Sequence, residues 1–167
     1  VVDYACAHGD SLQATVFLPA GYQPGARYPA VVHFYEKMSQ NRHQFYAPGE
    51  ANGVSIHPGM FTSRGYAVVM PDVTYRVNDP GVSALGCMVP AVRAAVAGGV
   101  VDSARVGIQG HSWSGYQTAF IVTQTPIFRA AVAGAPLTDL VSMYSSVYWN
   151  TGSANQAIFQ SSQGRFK

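Results

Sequence analysis

The stretch Arg105-Val106-Gly107-Ile108-Gln109-Gly110-His111-Ser112-Trp113-Ser114-Gly115 decides the fold of this chain. Its first five residues predict a buried strand, and a helix of about ten residues is predicted to begin near Trp113. Attack on a carbonyl carbon requires an exposed hydroxyl on a sharp turn between a strand and a helix. Ser112 occupies that position, so the stretch predicts a nucleophile elbow with Ser112 as the nucleophile.

Small residues flank the predicted turn, as close packing of strand against helix requires. Gly110, two residues before the serine, meets this requirement. Position 114 is serine rather than the second glycine of the G-x-S-x-G pattern, and Gly115 is expected to relieve the crowding there. The backbone N–H of Trp113 lies at the predicted helix start, where the helix dipole favours donation to an oxyanion. Trp113 therefore supplies one half of a predicted oxyanion hole.

Two other interpretations of these residues stay open. Ser112 could simply cap the helix, since serine is favoured at such positions. Its place after a third buried strand, with a helix before it and a strand after it, favours the elbow. His111 adjoins the serine and could act as its base, but adjacent residues at an elbow point in different directions, so this role is not favoured.

Outside the elbow, predicted strands alternate with predicted helices. The predicted elements are a hairpin over residues 2–18, buried strands over 28–35, 66–71 and 130–134, and a crossover helix over 82–97. Such alternation predicts an α/β fold with a mostly parallel sheet and helices on both faces. The hairpin is expected to form an antiparallel edge. Residues 36–58 are polar and rich in turn formers, which predicts a long loop.

That loop is a candidate contributor to a substrate-binding face, because loops of this length are often functional. Arg42 and Glu50 are its candidate contacts. The alternative is a solvated loop with no such role.

The composition limits the possible classes of function. The chain has 167 residues, 48% of them hydrophobic and 11% charged, which is typical of one compact domain. The net charge of +2 comes from scattered residues, so nucleic acid is a poor candidate partner. No apolar stretch is expected to reach the roughly 18 residues of a membrane span, and no signal peptide is recognised, which leaves the compartment open.

The cysteines and histidines give no sign of a metal centre. Cys6 and Cys87 could form at most one disulfide, and we interpret them as small core residues. His33, His43 and His57 show neither close helical pairing nor cysteine partners. The sequence therefore predicts no metal and no cofactor.

The elbow and its surroundings resemble the prolyl oligopeptidase family of serine peptidases, whose nucleophile segment is usually G-x-S-x-G-G-Y. The resemblance covers nearly the whole chain. It rests on Gly110-His111-Ser112-Trp113-Ser114-Gly115-Tyr116, on Arg64-Gly65-Tyr66 to Pro71-Asp72, on Val101-Asp102 to Ile108, and on Ala133-Gly134-Ala135-Pro136-Leu137-Thr138-Asp139.

The resemblance implies that residues 1–167 form part of an α/β-hydrolase catalytic domain that cleaves peptides through an acyl-enzyme. In this family a tyrosine hydroxyl from the loop after the first buried strand helps to bind the oxyanion, and Tyr35 lies where that tyrosine is expected. The alternative for Tyr35 is an interior aromatic residue at a strand end.

The catalytic acid and base are not found where the family pattern requires them. In α/β-hydrolases the triad follows the chain order serine, acid, histidine. After Ser112 the sequence contains one acid, Asp139, and no histidine. Asp139 comes too early for the family's acid, and we predict that it caps a helix beginning near Leu140.

We therefore expect the C-terminal part of the domain, as well as the family's N-terminal β-propeller, to be missing from this chain. The exposed sheet edge would be completed by the missing segment or by another chain. This chain alone is expected to be nearly inactive. An esterase or related acyl hydrolase on the same scaffold is one alternative, and a catalytically dead binding or structural module is the other.

Overall fold

A mixed sheet forms the centre of the molecule in the computed structural model, which describes residues 1–45 and 55–161. Its strands are β1 (Val2–Ala5), β2 (Ser11–Phe17), β3 (Tyr28–His33), β4 (Ala67–Pro71), β5 (Val101–His111) and β6 (Ala130–Gly134). The helices are α1 (Pro58–Thr62), α2 (Pro80–Ala97), α3 (Trp113–Gln124), α4 (Leu140–Tyr144) and α5 (Gln156–Ser161). A 3₁₀ turn covers Met38–Asn41, and a small hairpin pairs β7 (Val147–Tyr148) with β8 (Ser153–Ala154). Glu50, one candidate contact of the predicted loop, lies outside the described residues.

The strand order of the sheet is β1-β2-β4-β3-β5-β6. Strands β4, β3, β5 and β6 run parallel to one another, and β1 and β2 form an antiparallel hairpin at one edge. This confirms the predicted mostly parallel sheet and its antiparallel edge. The apolar strand β3 lies between β4 and β5, which explains why it lacks the alternation of a half-exposed strand.

Both faces of the sheet are covered, as the α/β prediction requires. Side chains of β4 alternate between the faces, because successive residues of a strand point in opposite directions. Val69 faces a core that includes Met88 of α2 and Ile121 of α3. Val68 and Met70 face a second, smaller cluster that contains the residues around α1 and the 3₁₀ turn. The helices therefore lie on both sides.

The middle of α2 is adapted to receive the end of β1. Pro90 lies inside the helix and has no N–H to donate to the carbonyl of Gly86. That carbonyl instead accepts a hydrogen bond of 2.9 Å from the N–H of Ala7. A side chain at Gly86 would approach Ala7 Cβ to 3.1 Å, so the glycine permits the close contact. Two residues that weaken a helix in general serve here to dock the hairpin.

The expectation that no apolar stretch reaches the length of a membrane span is wrong for α2. Its 18 residues have a mean hydropathy of 1.4, so by length and composition the helix could cross a membrane. Half of those residues are buried inside the molecule. A helix that covers one face of a sheet gains the same apolar composition from the core, which accounts for the composition of α2.

The interpretation of the cysteines as unlinked core residues is also wrong. Cys6 and Cys87 form a disulfide between residues 81 positions apart in the sequence. Both side chains are buried, as expected. The pairing depends on the docking of the β1 end against α2, and the local sequence around neither cysteine indicates that contact.

Candidate active site

Ser112 lies on a strained turn between β5 and α3. Its φ of 58° and ψ of −118° are unusual for a residue other than glycine, and such backbone strain costs about 1 to 3 kcal/mol. The turn is held by a hydrogen bond of 2.8 Å from the N–H of Ser112 to the carbonyl of Gly134. The Ser112 side chain makes no capping hydrogen bond to the helix. The simple capping interpretation is therefore wrong, and the hydroxyl is left available for chemistry.

The residues around the serine are packed too closely for larger side chains. A Cβ at Gly110 would lie 2.3 Å from the carbonyl oxygen of Ser114. A Cβ at Gly115 would lie 2.5 Å from the carbonyl oxygen of Gly134. Glycine is therefore required at both positions by contact with backbone atoms, which cannot turn aside as a flexible side chain can.

Ser114, the departure from the usual glycine, contributes to the turn. Its hydroxyl accepts a hydrogen bond of 2.9 Å from the N–H of His111 and donates one of 2.8 Å to the carbonyl of the same residue. The residue is buried, so its only polar side-chain atom is satisfied within the elbow. A serine at this position thus closes the turn by hydrogen bonds.

Substituting Gly110 by alanine is expected to lower the free energy of unfolding by about 1 to 3 kcal/mol, because the new methyl group meets the Ser114 backbone. Chemical denaturation followed by circular dichroism measures the change. Gly107→Ala on the same strand is the matched control, since a Cβ there would meet its nearest neighbour at an ordinary 3.5 Å. Equal unfolding midpoints for the two variants would contradict the packing argument.

Trp113, predicted as an oxyanion donor, lies at the start of α3 directly after Ser112. It is the first residue of α3, and the first N–H groups of a helix have no partner within the helix. Its indole ring is 1% exposed and lies with its centroid 5.3 Å from that of Tyr116 and 6.0 Å from that of Phe159. This packing fixes the backbone at the helix start, where the N–H and the helix dipole favour a negative charge next to the serine.

Tyr35 follows β3 at the same edge of the sheet as the elbow. His33 of β3 pairs with Gln109 of β5, so Tyr35 emerges level with His111, one residue before the serine. The Tyr35 side chain is half-buried and packs against the cluster of Met38, Val68 and Met70. It lines a cavity of about 500 Å³ whose lining does not include Ser112. The structure thus brings Tyr35 to the correct edge of the sheet but not into one cavity with Ser112.

The loop after Tyr35 is anchored by a residue whose role the sequence did not reveal. Asp72 follows β4 and is buried; its carboxylate accepts hydrogen bonds of 2.7 Å from both the N–H and the hydroxyl of Ser39. Next to it, the N–H of Val73 donates to the carbonyl of Glu36 at 2.8 Å. These bonds tie the loop that follows Tyr35 to the end of β4. Asp72 ends the stretch Arg64 to Asp72 of the family resemblance, but nothing in that stretch indicates its contact with Ser39.

Two residues that the sequence analysis set aside, His33 as a metal ligand and Asp139 as the catalytic acid, have other roles in the structure. His33 is buried, with Nδ1 2.5 Å from Gln109 Oε1 and Nε2 3.1 Å from Ser55 Oγ; its burial lowers the pKa of the imidazole. Asp139 caps α4 by accepting bonds of 3.0 Å from the N–H groups of Val141 and Ser142, as predicted.

A cavity of about 390 Å³ opens beside Ser112. Its lining includes Leu137, Met143, Tyr148, Trp149 and Asn155. Apolar side chains beside a few polar groups are typical of sites that bind small ligands or peptide side chains. Sequence reasoning did not assign these residues to the site. Leu137 entered it only as part of a stretch that resembles the family, and the other four lie 31 or more positions after Ser112, in segments without a recognisable motif.

The comparisons with known proteins agree with this geometry. The model of the prolyl oligopeptidase family matches residues 84–164, which include the elbow. No curated protein matches the chain. Dipeptidyl peptidase 4 from Porphyromonas gingivalis is 24% identical with a TM-score of 0.65, and the match covers 82% of this chain and 20% of that one.

Two further solved structures are similar. A putative dipeptidyl aminopeptidase IV from Bacteroides ovatus is 25% identical with a TM-score of 0.64, covering 82% of this chain and 21% of that one. An acylaminoacyl peptidase in complex with a chloromethyl ketone is 17% identical with a TM-score of 0.69, covering 87% and 24%. The chain thus spans about a fifth to a quarter of these structures. Its sheet and elbow are those of the α/β-hydrolase fold, and residues 84–164 are similar to the prolyl oligopeptidase family.

Proposed function

We propose that the complete protein is a serine peptidase that cleaves peptide bonds through an acyl-enzyme, with Ser112 as the nucleophile. The observation that carries the proposal is the strained backbone of Ser112, held at the start of α3 with its side chain making no capping bond. Strain of this kind persists only where the surrounding structure enforces it, and it is concentrated at functional sites. The match of residues 84–164 to the prolyl oligopeptidase family and the peptidases among the similar structures support the same reaction.

In the proposed reaction, Ser112 Oγ attacks the carbonyl carbon of the scissile bond, and its proton passes to a histidine. The Trp113 N–H donates to the resulting oxyanion, and the Tyr35 hydroxyl is the proposed second donor. The histidine then gives the proton to the leaving amine, and water releases the acyl group by the reverse sequence. Since no histidine follows Ser112 in this sequence, we propose that the acid and the base come from a part of the protein outside it.

The proposed substrate is a peptide that places a side chain in the cavity beside Ser112. The cavity of about 390 Å³ is large enough for a side chain, and its apolar residues Leu137 and Met143 favour an apolar one. An ester could be attacked at the same position, because the fold does not fix the leaving group. Paired ester and peptide substrates with the same acyl group distinguish the two activities.

The exposed edge at β6 supports the proposal that another segment or chain completes the sheet. Within the described residues, β6 pairs with β5 on one side only. Its side chains are mostly exposed, and Val132 is 60% exposed. An apolar strand with an unoccupied edge is a template for further pairing. We propose that a further strand packs here in the complete protein.

Labelling with a fluorophosphonate probe tests the proposed function. The complete protein is expected to react rapidly at Ser112, because the probe requires a serine activated by a base. The 167-residue chain alone is expected to react only weakly, and to gain reactivity when it is mixed with the remainder of the catalytic domain. Strong labelling of the isolated chain would show that its base lies within this sequence. No labelling of the complete protein at Ser112 would overturn the peptidase proposal.

A further inference from the structure

Four side chains with metal-binding atoms meet outside the candidate active site, where the end of β1 contacts α2. Cys6, His8 and Asp10 come from the β1–β2 turn, and Cys87 comes from α2. The two sulfur atoms and a nitrogen of His8 lie within 4.8 Å of one another. His8 Nε2 is 3.8 Å from Cys87 Sγ and 3.6 Å from Asp10 Oδ2. We call these four residues the thiol-imidazole cluster.

The backbone of the cluster is held by bonds that do not depend on the disulfide. The Cys6 N–H donates to the Asp10 carbonyl at 2.9 Å, and the Gly9 N–H donates to the Cys6 carbonyl at 2.9 Å, which closes the turn. The bond from the Ala7 N–H to the Gly86 carbonyl fixes this turn against α2. Breaking the disulfide therefore leaves both sulfur atoms close to the imidazole.

Thr74 orients the polar members of the cluster. Its hydroxyl donates to Asp10 Oδ2 at 2.6 Å and lies 2.9 Å from His8 Nε2. The same oxygen is 3.9 Å from Cys87 Sγ. The His8 side chain is 10% exposed and that of Asp10 is 53% exposed, so an ion can enter from the carboxylate side. The sulfur atoms form the buried floor of the site.

We propose that the thiol-imidazole cluster of the reduced chain binds one Zn²⁺ through Cys6 Sγ, Cys87 Sγ and His8 Nε2, with the Asp10 carboxylate as fourth ligand. Thiolate, imidazole and carboxylate are all zinc ligands, and structural sites hold four of them in a tetrahedron. With bonds of roughly 2.0 to 2.3 Å, the donor atoms of a tetrahedron lie roughly 3.3 to 3.8 Å apart. The donor atoms of Cys6, Cys87 and His8 already lie within 4.8 Å of one another, and Asp10 Oδ2 lies 3.6 Å from His8 Nε2, close to that spacing.

The reducing step balances with a water-soluble phosphine as the two-electron donor. Phosphorus attacks one sulfur and breaks the Cys6–Cys87 bond; water then hydrolyses the phosphorus–sulfur bond, which leaves two thiols and the phosphine oxide. Each thiol releases one proton to the buffer as its bond to zinc forms. The disulfide and the zinc ion are thus alternative cross-links of the same junction between the β1–β2 turn and α2.

Zinc titration of the reduced chain tests the proposal independently of any peptidase activity. After excess phosphine is removed under argon, Zn²⁺ is added in competition with a chromophoric chelator, and Co²⁺ is used in parallel as a spectroscopic probe. We expect one equivalent to bind, with the sulfur-to-cobalt absorption of a tetrahedral thiolate site. The oxidised chain is expected to lack this site, because its sulfur atoms are bonded to each other.

Single substitutions identify the ligands. His8→Ala is expected to weaken zinc binding by roughly 100-fold or more, and Asp10→Asn by about tenfold. The matched control is His43→Ala, which removes an exposed imidazole outside the cluster. His8→Ala retains both cysteines, and circular dichroism of its oxidised form verifies that the variant folds. The proposal is overturned if the reduced chain binds no zinc, if the oxidised chain binds it equally, or if His8→Ala binds as tightly as His43→Ala.

Discussion

Replacing Ser112 by alanine in the complete protein is expected to lower peptidase turnover on the order of a million-fold, the loss seen when a triad nucleophile is removed. This corresponds to about 8 kcal/mol of transition-state stabilisation. The residual rate would come from substrate binding and from the Trp113 N–H, which the substitution leaves in place. Steady-state hydrolysis of a chromogenic peptide measures the change.

The structure also separates this catalytic loss from a loss of folding. The Ser112 side chain makes no capping bond, and alanine has the same difficulty with a φ of 58° as serine, so the free energy of unfolding is expected to change by less than about 0.5 kcal/mol. Ser11→Ala, on the exposed start of β2, is the control for general effects of the change. A Ser112→Ala enzyme that retains turnover would exclude Ser112 as the nucleophile.

The parts of the fold that were predictable from the sequence are those fixed by local chemistry. Gly110 is required by a contact with Ser114, four residues away, so the elbow is contained in one short stretch. The capping role of Asp139 likewise depends on the two residues that follow Leu140. The extent of β5 was less predictable: a strand over 105–109 was expected, and the structure extends it over Val101–His111. Its additional length comes from pairing with β3 and β6, which are distant in the sequence.

The site could be predicted only in part, because several of its contacts join residues that lie far apart in the sequence. The Trp113 N–H follows from the position of the helix start, whereas the cavity beside Ser112 depends on how residues after 134 fold back over the elbow. The contact between Asp72 and Ser39 joins two loops 33 residues apart. Likewise, the distance of His8 from the cysteines is set by the docking of a hairpin on a helix. Sequence motifs for metal sites are recognised by ligands at short, regular spacing. In this cluster Cys87 lies 77 residues after Asp10, so no such motif is present.

Removal of the Cys6–Cys87 disulfide is expected to lower the free energy of unfolding by about 2 to 5 kcal/mol, the usual range for a native cross-link. The link joins residues 81 positions apart, and for a loop of that length the loss of chain entropy in the unfolded state accounts for about 4.5 kcal/mol. Such a change is a large part of the stability of a single domain. Guanidinium denaturation of oxidised chain and of a Cys6→Ala, Cys87→Ala double variant, both with EDTA, measures it.

Treatment with a phosphine separates the cross-link from the side chains, because reduction breaks the sulfur–sulfur bond without removing any atom from the core. The reduced wild-type chain in EDTA is therefore expected to unfold at a lower denaturant concentration than the oxidised chain, while the double variant is unaffected by the phosphine. Equal midpoints for oxidised and reduced wild-type chain would show that the disulfide does not stabilise the fold. Because the bond from the Ala7 N–H to the Gly86 carbonyl survives reduction, the hairpin is expected to remain docked on α2 below the transition. The disulfide then acts mainly by restricting the unfolded chain.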